Sequence, residues 1–92
     1  MKTFGQQIKW DFETNGELEI FDKNGYLIYF EDSDGYWARG EFDSKGNQTY
    51  FETSEGYWYK REYNSEGNVI YFEDSKGKIA DYRPETVKNT LN

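Results

Sequence analysis

The sequence predicts an all-β protein, an antiparallel β-meander built from three copies of one 21-residue unit. The first observation is an ungapped internal repeat, because residues 21–41, 42–62 and 63–83 align position by position. The second is that each unit carries two glycine-containing turn signals, which separate two short strands. The third is composition: 21% of the 92 residues are aromatic, unlike the acidic chains that stay disordered.

The segment before the repeats, residues 1–20, is predicted to be a capping hairpin. Ile8, Trp10 and Phe12 alternate with charged residues, which is the period-two pattern of a half-buried strand. The Asn-Gly pair at 15–16 tolerates the positive φ angles of a tight hairpin turn. A strand followed by a turn is therefore expected at the amino terminus.

The second residue of each unit is an Asp or Asn that is followed three residues later by Gly, the arrangement that a type I turn favours. These pairs are Asp22 with Gly25, Asp43 with Gly46, and Asn64 with Gly67. A second turn, ending at Gly35, Gly56 or Gly77, follows a Tyr-Phe-Glu triplet. With the cap, eight strands are predicted, at about residues 6–13, 17–22, 26–31, 36–43, 47–53, 57–63, 68–73 and 78–83.

Alternation along these strands assigns side chains to two faces, with Tyr59 and Arg61 on one and Trp58 and Lys60 on the other. Trp37, Trp58 and Ile79 occupy equivalent positions and are predicted to form one column. The meander is expected to be an open, strongly twisted sheet, with a small closed barrel as the alternative. Pro84 ends the last strand, and residues 84–92 are expected to form a short tail or helix of the single domain 1–92.

Charge and residue types restrict the function. The net charge of -7 disfavours direct binding to nucleic acid and favours a protein partner with a basic surface. The chain has no Cys and no His, so no metal or cofactor is expected, and the acidic loop around Gly35 does not match an EF-hand. Because every predicted loop is a tight turn, an enzyme is not expected. No apolar run resembles a signal peptide or a membrane segment, so a cytoplasmic location is expected.

The stretch YKREYNSEGNVIYFEDSKG, residues 59–77, resembles the YD repeats of the RHS type found in large bacterial wall-associated and toxin-delivery proteins. The resemblance covers residues 21–83 and implies β-hairpin repeats that serve as shells or spacers, with no catalytic residue in the repeat. The chain also looks like the short, free-standing, acidic aromatic-repeat proteins of phages and prophages. Small acidic phage proteins often inhibit host nucleic-acid enzymes, including defence nucleases.

From charge and resemblance together, the expected function is a non-enzymatic, protein-binding inhibitor of phage or mobile-element type, anti-CRISPR-like, acting in the host cytoplasm. Its acidic surface would mimic nucleic acid and occupy a basic site on the partner. The alternative is a structural or glycan-binding repeat module, and a homodimer through the sheet edges is plausible. The candidate partner-binding residues are Glu31, Asp32, Asp34, Glu41, Glu52, Glu55, Glu62, Glu73, Trp37, Trp58 and Tyr59.

Overall fold

The computed structural model describes residues 2–84, which form two short helices and seven strands. The helices are α1, Phe4–Ile8, and α2, Phe12–Asn15. The strands are β1 Leu18–Phe21, β2 Leu27–Glu31, β3 Trp37–Phe42, β4 Gln48–Thr53, β5 Trp58–Tyr63, β6 Val69–Asp74 and β7 Ile79–Asp81. Beyond Pro84, the predicted tail or helix lies outside the described residues.

The seven strands form one antiparallel sheet in which spatial order equals chain order, β1 through β7. The prediction of an all-β meander is therefore confirmed. The sheet is open, so the alternative of a closed barrel is wrong. Consecutive strands pair because each connection is a turn too short to reach any other strand.

The turns repeat one hydrogen-bonding scheme. In the first, Oδ1 of Asp22 accepts from the backbone N–H groups of Asn24 and Tyr26, while Gly25 adopts a φ of 88°. A left-handed φ of this kind is strained for any residue with a side chain, which explains the glycine. Asp or Asn residues accept in the same way in four further turns, at Asp32, Asp43, Asn64 and Asp74.

A register irregularity recurs at the same point of each unit. It falls between Ile20 and Phe21 in β1, between Glu41 and Phe42 in β3, and between Glu62 and Tyr63 in β5. Such bulges increase the local twist of a strand pair. Their recurrence every 21 residues shows that the sequence repeat is also a repeat of backbone geometry.

The predicted strand at residues 6–13 is wrong, because this segment contains the two helices. Thr3 and Gln6 form a reciprocal capping box that starts α1, and Lys9 ends it in the left-handed region at φ 59°. Asp11 then caps α2 by accepting from the N–H groups of Glu13 and Thr14. These local caps outweigh the alternation of apolar residues, so the sheet has seven strands rather than eight.

The sheet is a single layer. The molecule measures 52 × 28 × 16 Å along its principal axes, and its radius of gyration is 16.4 Å, against about 12 Å for a compact domain of this length. Among residues 2–84, Leu18 is the only buried hydrophobic side chain. Stability must therefore come mainly from cross-strand pairs of half-buried aromatic residues rather than from an enclosed core.

Strand register divides the side chains between two faces. One carries a Tyr and a Glu from every Tyr-Phe-Glu triplet, and we call it the Tyr–Glu face. Its strand residues are Leu18, Ile20, Tyr29, Glu31, Trp37, Arg39, Glu41, Tyr50, Glu52, Trp58, Lys60, Glu62, Tyr71, Glu73, Ile79 and Asp81. The opposite, phenylalanine face carries Glu19, Phe30, Ala38, Gly40, Phe51, Thr53, Tyr59, Arg61, Phe72, Asp74 and Ala80.

Candidate protein-binding surface

The Tyr–Glu face is built from one side-chain pair that occurs three times. In each unit the Tyr hydroxyl donates to Oε1 of the Glu two residues later, and the O···O distances are 2.9, 3.4 and 3.0 Å. The pairs are Tyr29 with Glu31, Tyr50 with Glu52, and Tyr71 with Glu73. Alternation along a strand places residues i and i+2 on the same side, which brings the two groups together.

In the first unit this pair holds α1 on the sheet. Oε1 of Glu31 accepts from the Gly5 N–H at 2.8 Å, and Oε2 accepts from the Thr3 hydroxyl. The ring of Phe4 packs edge-on against Tyr29, with 5.8 Å between centroids. Glu31 is consequently only 1% exposed.

Burial raises the pKa of Tyr29 to about 12, and its hydrogen bond to Glu31 and the carboxylate charge contribute further. Tyr29 therefore stays protonated and able to donate at neutral pH. Gly5 is equally constrained, because a Cβ there would lie 2.7 Å from Oε2 of Glu31. The α1 contact thus depends on a specific tyrosine, glutamate and glycine.

In the second and third units a basic residue lies opposite the glutamate on the preceding strand. The neighbour of Glu31 on β1 is Leu18, whereas the neighbours of Glu52 and Glu73 are Arg39 and Lys60. Arg39 bonds Oε1 of Glu52 at 3.0 Å through Nε and Oε2 of Glu41 at 3.2 Å through Nη1. The apolar Leu18 offers no such charge, which is why Glu31 needs the donors of α1.

At the carboxyl-terminal side of the sheet, Arg83 plays the role of Arg39. Its guanidinium contacts Asp81 at 3.0 Å and Glu62 at 3.3 Å, and lies 4.1 Å from the centroid of the Tyr71 ring. Long carboxylate side chains are thereby held in defined positions on an exposed surface. Such fixing reduces the entropy that would be lost on binding a partner.

The structure gathers four of the predicted acidic residues on the Tyr–Glu face, namely Glu41, Glu52, Glu62 and Glu73. Glu31 shares that face but is covered by α1, so its carboxylate is not available to a partner.

The remaining three acids, Asp32, Asp34 and Glu55, lie in adjacent turns at one end of the sheet. Asp34 and Glu55 are exposed there. Oδ1 of Asp32 is already used by the N–H groups of Asp34 and Tyr36.

The predicted aromatic residues are separated by the sheet. Trp37 and Trp58 lie on the Tyr–Glu face, where each faces the Glu of a neighbouring triplet, Glu31 and Glu52 respectively. Trp37 stacks on Tyr29 with 6.3 Å between centroids. Tyr59 lies on the phenylalanine face and cannot share a binding surface with the tryptophans.

Beside α1 is an open cleft of about 290 Å³ over Tyr29. Its walls are Phe4 and Trp37, and the aliphatic stems and charges of Lys2 and Arg39 line its rim. The cleft adds a hydrophobic contact area next to the carboxylates.

Sequence reasoning missed three contributors to this surface: Arg39, Arg83 and α1. The signal for α1 was present, because Thr3 and Gln6 have the spacing of a capping box. In the sequence, Arg39 and Arg83 differ from the residues at the same position of the other units, but nothing more could be inferred about them. Their role depends on which carboxylates lie near them, and strand register decides that.

Charge is distributed unevenly along the sheet. Residues 1–41 carry nine acidic and four basic side chains, whereas residues 42–92 carry nine acidic and seven basic ones. Since the strands follow chain order, the α1 side of the sheet carries the larger net negative charge, because it has fewer basic side chains.

Over residues 2–84, no cluster of three or more carboxylates has a metal-binding arrangement. Nor does that part of the chain contain a helix long and apolar enough to cross a bilayer. The chain matches no protein-family model, and a search of curated proteins finds no match to its sequence.

Proposed function

We propose that this chain is a non-enzymatic, protein-binding inhibitor that uses its Tyr–Glu face to engage a basic surface on its partner. The observation that carries the proposal is the row of carboxylates on this face, fixed by arginines and tyrosine hydroxyls and presented by a single-layer sheet. A pre-ordered acidic surface binds a basic partner with little loss of side-chain entropy.

The partner we propose is a nucleic-acid-binding protein of the host, as expected for a phage-type inhibitor. Equivalent carboxylates recur two strands apart, or roughly 10 Å at ~4.8 Å per strand. We expect these carboxylates to compete with phosphate groups for the lysine and arginine side chains of the partner.

The alternative of a glycan-binding module is less well supported. Sugar recognition needs an aromatic ring with an open face, whereas Tyr59 is stacked between Phe51 and Phe72 at centroid distances of 5.2 and 5.8 Å. The guanidinium of Arg61 lies 4.4 Å from the same ring. These contacts use the ring faces within the sheet.

The test compares three baits in a capture experiment from bacterial lysate, at low and at high salt, with mass spectrometry of the bound proteins. The baits are the wild-type chain, the variant Glu41→Gln/Glu62→Gln, and the variant Glu19→Gln/Glu66→Gln. Both variants lose two negative charges. Glu41 and Glu62 are exposed on the Tyr–Glu face, whereas Glu19 is opposite Phe30 and Glu66 lies in a turn.

We expect a nucleic-acid-binding protein to be captured at low salt and lost at high salt, because exposed ion pairs are screened. The Glu41/Glu62 variant should capture less of it than the Glu19/Glu66 variant. Capture that survives high salt, or that is equal with both variants, would show that the Tyr–Glu face is not the binding surface.

A further inference from the structure

Strand β1 lies at one edge of the sheet, and only one of its two sides is paired. Over residues 2–84, the backbone of β1 is hydrogen-bonded to β2 and to no other element. Glu19 and Phe21 are both exposed, Phe21 by 53%. Residues 85–92 follow β7, which is at the opposite edge of the sheet. In the part of the chain that the structure describes, the outer side of β1 is therefore an open strand edge.

The open side of β1 carries the N–H and C=O groups of Glu19 and Phe21. The N–H of Asp22 donates to the carbonyl of Tyr26, so Asp22 directs its backbone groups towards β2. Successive strand residues direct these groups to alternate sides, so Phe21 and Glu19 direct theirs outwards. An edge with such free groups is a template for pairing with another strand.

The repeat shows how a strand binds to this side. Residues 18–21 of β1 align with residues 39–42 of β3. The side of β3 that corresponds to the open side of β1 pairs with β2 in antiparallel orientation, with Phe30 opposite Ala38. The edge of the molecule thus presents a strand side that is paired wherever it recurs inside the sheet.

The surroundings of this edge are acidic. Residues 10–22 contain five acidic side chains and no lysine or arginine. One of them, Glu19, has Gly40 and Arg61 as its equivalents in β3 and β5, so its carboxylate belongs to the edge strand and not to the repeat. Like charges that face each other destabilise a strand pair. Pairing of β1 with β1 of a second copy is therefore disfavoured, whereas a basic strand is favoured.

We propose that the open side of β1 binds an extended, basic segment of a protein partner, which adds an antiparallel strand to the sheet. Backbone hydrogen bonds to Glu19 and Phe21 provide most of the affinity, as in other cases of strand addition. On the phenylalanine face, the basic side chains of the segment lie among the carboxylates of residues 10–22. On the other face its side chains lie beside the half-buried Ile20, where β-branched apolar groups pack well. The segment therefore alternates basic and apolar residues.

The probe for this site is a synthetic hexapeptide of alternating lysine and valine with blocked ends. Two peptides of the same length serve as controls. In one, glutamate replaces each lysine. In the other, every backbone nitrogen is methylated, which keeps the positive charges but removes the N–H donors that a strand ladder needs. Proton–nitrogen correlation spectra of the full chain, recorded during the titration, give the affinity and locate the site.

The decisive variant is Glu19→Pro, with Glu19→Gln as its matched control. Both remove the carboxylate, but only proline also removes the outward N–H and places a ring at the edge. That N–H has no partner among residues 2–84, and edge strands tolerate proline, so Glu19→Pro should fold. Far-UV circular dichroism verifies the fold of each variant.

We expect the lysine–valine peptide to shift the amide signals of the β1 residues Ile20 and Phe21, and both control peptides to leave them unchanged. Glu19→Gln should retain most of the affinity, because a single exposed ion pair contributes little and four other carboxylates remain in residues 10–22. Glu19→Pro should weaken binding by at least about tenfold, because it removes a backbone hydrogen bond and obstructs the incoming strand.

Equal binding by Glu19→Pro and Glu19→Gln would overturn the proposal, because the backbone edge would then play no part. So would binding of the methylated peptide, or a wild-type spectrum in which the β1 signals do not move. The variant Glu41→Gln/Glu62→Gln should bind the peptide as the wild-type chain does. Loss of binding in that variant would place the peptide on the Tyr–Glu face instead. The edge site and the function proposed for the Tyr–Glu face therefore fail separately.

Discussion

Glu31 differs in its surroundings from the equivalent glutamates of the other two units. Its equivalents Glu52 and Glu73 are half-buried, whereas Glu31 is almost completely buried and accepts hydrogen bonds from Thr3, Gly5 and Tyr29. A buried carboxylate is costly unless such donors satisfy it. The α1 segment and Glu31 are therefore mutually dependent, which makes this residue a stability determinant and not a partner contact.

The substitution Glu31→Gln tests this dependence. The glutamine side chain has an NH2 group in place of one carboxylate oxygen, so at least one of the hydrogen bonds from Thr3, Gly5 and Tyr29 would lose its acceptor. Hydrogen bonds to charged groups are typically worth about 1.5–3 kcal/mol. We expect a loss of about 2 kcal/mol in the free energy of unfolding, measured by urea denaturation. Glu73→Gln, with its one hydrogen bond from Tyr71, is the control and should cost less. Equal losses at both positions would contradict the role assigned to α1.

At the scale of the element, the turns are more uniform than the strands they connect. Five turns have an Asp or Asn that accepts two backbone hydrogen bonds, and the sixth has Thr53, whose Oγ1 accepts from the Glu55 N–H at 3.3 Å. The hydroxyl is one bond shorter than a carboxylate, so it reaches fewer N–H groups. This turn is the weak copy of a repeated motif.

We expect Thr53→Asp to raise the free energy of unfolding by about 1 kcal/mol. The aspartate would accept a second backbone hydrogen bond, donated by the Tyr57 N–H. The buried Asp74 shows that the equivalent position tolerates a carboxylate. Thr53→Asn separates hydrogen bonding from charge and should stabilise similarly, as Asn64 does in its own turn. Thermal or urea midpoints that do not rise for either variant would exclude this account of the turn.

At the scale of the molecule, each unit contacts only its neighbours along the sheet, because spatial order equals chain order. In such linear arrays, stability is approximately the sum of the units and their interfaces. A unit can thus be removed without breaking the pattern of the remainder, provided that the number of deleted residues equals the period.

Deletion of residues 42–62 joins Glu41 to Tyr63 and should leave a folded, five-stranded sheet. We expect a smaller urea m-value and a lower stability than in the wild-type chain, because less surface is buried. Deletion of residues 42–61 is the control, since the one-residue shift moves every downstream side chain to the opposite face. Far-UV circular dichroism should show β structure in the first protein and its loss in the second. The reverse result would mean that the period does not define the folding unit.

The sequence alone determined the period, the turns and the meander, because Asx and Gly positions act locally and the alternation of side chains fixes the two faces. The separation of Tyr59 from Trp58 follows from that alternation. The amino-terminal segment was mispredicted because its alternation and its capping box, Thr3 with Gln6, point to different structures. Local caps prevail there, although the outer edge of β1 could have accepted a further strand.

Only the tertiary structure decided which carboxylates are available and where the surface is uneven. Whether a Glu is buried or exposed depends on its cross-strand neighbour, Leu18 for Glu31 and Arg39 for Glu52, and register is a long-range property. A groove beside Ala38 on the phenylalanine face likewise exists because Phe30 on β2 and Phe51 on β4 contribute to its lining. A repeat specifies equivalent positions along the chain, but the neighbours of each position, and hence its energy and role, are set by how the strands pair.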